Sequence, residues 1–517
     1  MSMALRHILR RSEICSGSKI AIIDGDRSWT WKEFAERVGK LAAVLRGLGL
    51  EENGRVAMLG ENSHCYLEFY FGVPWAGGIF TPLNIRLMPA DLAAMIEHAN
   101  AKILITDAAM LPVALQVREM LPNLDHLIVA GDAAYNVIDY ESALAAATRI
   151  PEVSRADDDV AAFFYTSGTS GVPKGVMLTH KNLYASGLSG IASYGLHENS
   201  ISLVPSPFFH VAATALIIPT LMISGTVVVL PKFTPEAVLD ALNRHRITAS
   251  VIVNALMKML MSSMGTEAAG FPHLETILMG ASATTDTFLA EVFERFGGKR
   301  LINAYGMTEA TAAVTSISHI RGNHGLSLRA ANSVGRPVTG VVAGIFDAEG
   351  GLLPPGQTGE ILVKGPTVMK GYWNDPLGTR EALRDGWLHT GDAGYMDEAG
   401  FVFLVDRIKD MIKTGGENVY SAEVERTLFN FPGVEQCAVV GLPDERWGEA
   451  VVAVIIPQKG VALDVEAMIL HCRSQMAGFK CPRRIALRTM PFPVNAANKI
   501  RKDVLRAELS KELVRQA

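Results

Sequence analysis

The stretch YTSGTSGVPKG, residues 165–175, places three glycines, five hydroxyl side chains and one lysine in eleven residues. Gly168 and Gly171 let successive backbone N–H groups converge on an anion. Thr166, Ser167, Thr169 and Ser170 add hydroxyl donors, and Lys174 adds a cation. That chemistry suits phosphate. The spacing is not that of a Walker A loop: counted from Gly168, the second glycine position holds Pro173, and the position after Lys174 holds Gly175 instead of Ser or Thr. A flexible Gly/Ser linker is the bland alternative; the apolar run before the loop and Pro-Lys-Gly inside it argue against one. Other residues able to do chemistry are scattered downstream in YGMTE (305–309), WLHTGD (387–392), DRIKDMIKTGGENVYSAEVE (406–425) and NAANKIRK with Lys499. Taken singly, each has an ordinary reading: Thr308-Glu309 as a helix cap, Asp392 as a turn residue, His210 as a packed ring beside an apolar run, Lys499 as solvated surface.

These residues need a scaffold, and the sequence predicts one. From Thr30, Phe34, Val38, Leu41, Leu45 and Leu48 recur at steps of four and three, one apolar helix face, with Thr30 and Glu33 forming a capping box. RVAMLG then reads as a strand, residues 63–76 as a helix and GGIFTPLN as another strand, and this βαβ grammar recurs near residues 102–106, 226–230 and 276–279. After about Arg336 the texture turns to short strands split by Gly, Pro and Asp. Beyond residue 405 it restarts with a capped helix, strands and two charged helical stretches. The predicted organisation is α/β: an N-terminal domain, 1–405, of parallel-rich sheets covered by helices with a β-rich subdomain, and a small α+β C-terminal domain, 406–517.

With 517 residues, 49% of them apolar, the chain can bury large cores. A net charge of −5 with both signs interspersed argues against nucleic acid. Five scattered cysteines without CxxC spacing point to reduced thiols, no structural zinc and a cytosolic setting. The uncharged residues 211–231 are long enough for a membrane span, but Pro219 and Ser224-Gly225 break them into a predicted buried helix, turn and strand. The N-terminus lacks a secretory signal pattern, and Leu5, Ile8 and Leu9 mark an ordinary first helix.

Taken in order, YTSGTSGVPKG, YGMTE, GEILVKG, WLHTGD, DRIKDMIKTGGENVYSAEVE and Lys499 resemble the adenylate-forming superfamily of acyl-CoA synthetases, carrier-loading adenylation domains and luciferases. The resemblance implies a two-step reaction. A carboxylate attacks the α-phosphorus of ATP and releases pyrophosphate; a thiol then displaces AMP. It assigns the β- and γ-phosphates to Thr166, Ser167, Gly168, Thr169, Ser170, Gly171 and Lys174. The adenine side goes to Gly280, Ala281, Ser282, Asn303, Ala304, Tyr305, Gly306 and Met307, with Tyr305 stacking. Thr308 takes the α-phosphate and Glu309 takes Mg2+, a hard cation for which one carboxylate plus phosphate oxygens suffices. Asp392 and Arg407 take the ribose, and His210 lies near the acyl carboxylate. Lys499 drives the first half-reaction; the family's preceding glycine is Asn498 here, a residue that tolerates positive φ. Lys409 is the hinge, and Gly415 and Gly416 line the thiol channel. Trp447, Phe479 and Arg483, with Lys480, Arg484 and Arg488 nearby, are matched to CoA.

The implied function is an ATP-dependent acyl-CoA ligase. The pocket wall at residues 210–214, 280–282 and 303–304 carries no lysine or arginine, which disfavours a second carboxylate and leaves fatty and aromatic acids open. A carrier-loading enzyme with a separate carrier protein and a nucleotide-binding regulator without turnover are the alternatives. The expected partners are the acid, ATP and CoA; a homodimer is compatible with the sequence.

Overall fold

The computed structural model describes residues 3–131, 137–166, 173–264, 270–280, 286–297, 300–320, 332–494 and 500–516. The chain forms two compact units, Met1–Ala343 with Val363–His389, and Gly344–Leu362 with Thr390–Ala517.

The first unit holds two large sheets. In the nine-stranded sheet, Ile20–Asp24, Thr226–Val229, Ile201–Val204, Ala249–Val251, Thr276–Gly280 and Arg300–Met307 run parallel in that spatial order. Antiparallel strands close both edges. The eight-stranded sheet has a parallel core of Val160–Thr166, Ile79–Pro82, Arg55–Leu59, Ala101–Asp107 and His126–Ala130. Beyond Val160–Thr166 lies antiparallel Lys174–Thr179, and beyond that the short strand Gly371–Tyr372. The predicted βαβ segments are these strands and their crossover helices. Central strands such as Thr276–Gly280 are buried at every position, as a sheet covered on both faces requires.

Local signals act as the sequence predicts where they are self-contained. Thr30 accepts from the Glu33 amide while the Glu33 carboxylate accepts from the Thr30 amide at 2.7 Å, so the helix Trp31–Gly47 starts where the capping box sets it. The helix Arg6–Ser16 follows Leu5, and Leu5, Ile8 and Leu9 are all buried. Residues 211–231 form the expected helix, turn and strand, with one difference. The helix Val211–Met222 runs through Pro219 instead of stopping there. The proline sits near the helix end, so it removes only one late hydrogen bond, and its ring packs on Gly190, where an added Cβ would lie 3.0 Å away. Ser224 then takes φ +60° before the strand Thr226–Val229. Among the described residues no helix is long and apolar enough to cross a membrane. None of the five cysteines is paired.

The second unit contains a small sheet in which Val402–Arg407 pairs antiparallel with residues 392–396. It also contains a sheet built on the long hairpin Val434–Asp444 and Gly448–Pro457. One face of that hairpin packs Val439, Val451, Ala453 and Ile455 under the helices Ser421–Phe429 and Val465–Gln475. The other face packs Val440, Val452 and Val454 against Phe492 and Leu505. Asp406 caps the first of these helices: its Oδ2 accepts from the Ser421 hydroxyl at 2.7 Å and the Ala422 amide at 3.0 Å.

Candidate active site

In the first unit the candidate residues gather at the carboxyl ends of strands, where an open parallel sheet leaves a crevice for ligands. Thr166 ends one strand and Lys174 begins the next, paired in register on either side of the phosphate-loop candidate. Gly280 ends Thr276–Gly280 at φ +158°, facing Ala304, whose carbonyl oxygen would lie 2.4 Å from any Cβ there. Asn303, Ala304, Tyr305, Gly306 and Met307 lie on Arg300–Met307, and Asn303 is buried. At Tyr305/Gly306 the register with the neighbouring strand shifts, a bulge that redirects the chain into the short 3-10 turn Thr308–Ala310. Gly306 has to be glycine: a Cβ would stand 1.5 Å from the Ala312 oxygen. Thr311 and Ala312 follow at φ +54° and +80°, a strained exit held by hydrogen bonds from Ser186 to the Thr311 oxygen and from Thr311 to the Thr367 oxygen. The turn carries no side-chain cap, so the helix-cap reading of Thr308-Glu309 does not hold.

Glu309 and Lys174 meet on a residue that the sequence reading missed. Tyr372 donates its hydroxyl to Glu309 Oε1 at 2.9 Å, and Lys174 Nζ sits 4.6 Å from the centre of the Tyr372 ring. Lys174 Nζ also lies 3.3 Å from Asp375 Oδ2. Asp375 is the N-cap of Pro376–Ala382, accepting from the Gly378 amide at 2.8 Å. That amide, then Lys174, keep its carboxyl below the ordinary range. Burial, reinforced by Glu309, pushes the Tyr372 phenol well up, so it stays a neutral donor. The Asp-Pro step at 375–376 was a readable helix start. Nothing local marked Tyr372.

His210 precedes the helix Val211–Met222, and its ring lies 4.5 Å from that of Phe209. Asn62 fixes the segment leading to it: its Oδ1 accepts from the Phe208 amide at 2.8 Å, and its amide group donates to the Ser206 and Leu230 oxygens, both at 3.1 Å. Asn62 is 5% exposed, and it too went unread in the sequence.

The second unit brings together Asp392 and Arg407, which face each other in register with Arg407 Nε 2.7 Å from Asp392 Oδ1. Asp392 is buried, its amide held by Thr390 Oγ1 at 3.0 Å. Lys409 lies exposed in the 3-10 turn Ile408–Asp410. Gly415 and Gly416 are the tip of the hairpin between Ile412–Thr414 and Glu417–Val419. Their φ values of +60° and +85° are those of a primed two-residue turn. Gly415 also abuts Trp447, whose oxygen accepts from its amide at 2.8 Å. Arg446 and Arg483 both stand over the Trp447 ring, at 4.8 and 4.6 Å. Lys480 is engaged with Glu423 at 2.8 Å and Arg488 with Glu508 at 2.8 Å, so neither shares that cluster. Phe479 is 36% exposed and lies beside Lys480. Ser167, Gly168, Thr169, Ser170, Gly171, Ala281, Ser282 and Lys499 lie outside the described residues.

Two family models match the chain. The model for AMP-binding enzymes matches residues 10–373, and the model for the AMP-binding enzyme C-terminal domain matches residues 423–499. The chain belongs to the AMP-binding enzyme family. Among its relatives, a feruloyl-CoA synthase of Amycolatopsis sp is 36% identical over 94% of this chain and 95% of that protein. A long-chain-fatty-acid–CoA ligase of Bacillus subtilis (strain 168) is 32% identical over 96% and 93%. The o-succinylbenzoate CoA synthetase MenE of Bacillus subtilis, solved with its acyl-adenylate intermediate OSB-AMP, superposes with a TM-score of 0.85 at 28% identity, covering 96% of this chain and 97% of that one. This AMP-binding enzyme is therefore an acid–thiol ligase of the acyl-CoA synthetase class, with ATP and CoA as co-substrates.

Proposed function

We propose that the enzyme activates an apolar monocarboxylic acid, an aromatic acid of the hydroxycinnamate kind first among candidates, through an acyl-adenylate to its CoA thioester. The observation that supports the chemistry is the meeting of Glu309 and Lys174 on Tyr372 at the strand ends. A carboxylate and an ammonium so placed suit a metal-bound triphosphate, whose charge must be met as it develops. Glu309 offers a hard oxygen donor and fits Mg2+, which usually takes one or two carboxylates and keeps waters. Bound there, Mg2+ would neutralise charge on the phosphates. Lys174 and the hydroxyls of the 166–170 loop would hold the outer phosphates, Thr308 the α-phosphate, Tyr305 the adenine, and Asp392 with Arg407 the ribose. Lys499 would serve adenylation and Gly415, Gly416 and the Trp447–Arg483 pair the CoA arm, with Lys409 as the pivot between the halves.

The aromatic preference rests on the feruloyl-CoA synthase relative, on the adjoining Phe209 and His210 rings and on the small residues of the wall segments. The fatty-acid ligase relative keeps a medium- or long-chain acid as the second reading. A pyrophosphate-release screen over ferulate, benzoate, hexanoate and palmitate, with and without CoA, tests both. Ferulate is expected to give the highest kcat/KM. Palmitate ahead of every aromatic acid selects the second reading, and release of ADP and orthophosphate refutes the scheme.

A further inference from the structure

Glu309 and Lys174 carry opposite charges on neighbouring elements. Left to themselves they would neutralise each other, and a paired lysine and carboxylate meet neither phosphate nor metal. The structure engages each with other groups. Glu309 Oε1 takes a neutral phenol hydroxyl at 2.9 Å. Lys174 takes the face of the same phenol at 4.6 Å and the Asp375 carboxylate at 3.3 Å. The phenol itself is fixed from behind. Tyr372 pairs with Val176 on the strand that begins at Lys174, and its amide donates to Thr379 Oγ1 at 2.9 Å. Gly371 before it lies against Thr379, whose methyl would stand 2.7 Å from a Cβ at φ +145°.

We infer that Tyr372 is a positioning residue for the adenylation step, its hydroxyl orienting the Glu309 carboxylate for the divalent cation while its ring keeps Lys174 apart from that carboxylate. The inference rests on Glu309 as the metal ligand. An outer partner that orients a ligating carboxylate is typically worth about ten- to a hundredfold in metal affinity.

The test separates hydroxyl from ring. Tyr372→Phe keeps the ring and so leaves Lys174 its π partner; Tyr372→Leu removes both. Mn2+ binding to enzyme with a non-hydrolysable ATP analogue is followed by electron paramagnetic resonance, beside the Mg2+ dependence of pyrophosphate release. Tyr372→Phe is expected to weaken Mn2+ about tenfold with KM for ATP at saturating Mg2+ within twofold of wild type. Tyr372→Leu is expected to raise that KM as well. Mn2+ affinity unchanged in Tyr372→Phe overturns the inference, provided Glu309→Gln does weaken Mn2+. If Glu309→Gln leaves Mn2+ affinity intact, the metal-ligand reading falls, and the inference with it.

Discussion

Asn62 offers a sharp test of how the acyl side of the site is held. It makes three hydrogen bonds in a buried place, to the Phe208 amide and to the Ser206 and Leu230 oxygens. Asn62→Leu is nearly isosteric, so it opens little cavity and leaves one amide and two carbonyls without that partner. At about 1 kcal/mol net per bond, with unsatisfied buried groups at the upper end, the loss comes to about 3 kcal/mol. The same change frees the segment that delivers His210. With His210 in its proposed place beside the acid's carboxylate, slack there misplaces the acid and not the nucleotide, so KM for the acid is expected to rise about tenfold with KM for ATP within twofold. Urea unfolding followed by tryptophan fluorescence reads the stability, and initial-rate pyrophosphate release reads both KM values. A variant destabilised as expected with an unchanged KM for the acid would show that this segment is framework only. Equal rises in both KM values would show general slackness and refute the argument in the same way.

Three further outcomes follow from the geometry. Asp392→Asn removes the charge facing Arg407; because that arginine is 42% exposed, stability is expected to fall by about 1 kcal/mol or less, while AMP affinity measured by calorimetry falls tenfold or more. Trp447→Ala unseats two arginines, each contributing about 0.5–1 kcal/mol to its ring, and is expected to raise KM for CoA about fivefold or more with CoA-independent adenylation unaltered. His180 is 2% exposed and accepts from the Leu5 amide through Nδ1; burial, then Arg155, lowers its pKa to about 4 from 6.5. The unfolded chain therefore binds a proton below pH 6.5 that the folded chain refuses. Stability contributed by the neutral ring is complete above pH 6.5 and lost as pH falls to 4, by about 3 kcal/mol at about 1.4 kcal/mol per unit. His180→Gln, which retains an acceptor, is expected to flatten that acid limb of the urea midpoint against pH; an identical limb refutes the assignment.

What was readable in the sequence divides by distance along the chain. Thr30 and Glu33 are three residues apart, and the cap they announce is the cap that forms. The phosphate loop, the YGMTE turn and the glycine pair announce themselves because backbone geometry restricts residue type. Even so, the reason was read incompletely at Gly415 and Gly416. The sequence suggests room for a thiol arm, and the hairpin adds that both residues take positive φ; at Gly416 a Cβ would meet nothing within 4 Å. Pro219 shows the converse, a local breaker overruled by the burial of residues 216–222 around it. Tyr372 and Glu309 are separated by 63 positions, and Asn62 and Phe208 by 146. No window on the sequence holds both members of such a pair, and each is an ordinary residue until the sheets bring its partner.

That separation also bears on why substrate is harder to read than reaction. The groups proposed for ATP sit where the backbone itself is constrained: a bulge that only Gly306 allows, strained φ at Thr311 and Ala312, and a loop whose two ends are paired strands. A change there disturbs the sheet, so residue type and chemistry are locked together. The proposed acyl wall is different. His210 and its neighbours follow a strand end and are aimed by side chains such as Asn62, so a wall residue can change size or polarity while the strands beneath keep their register. One scaffold can thus serve ferulate in one relative and a long-chain fatty acid in another at similar overall identity.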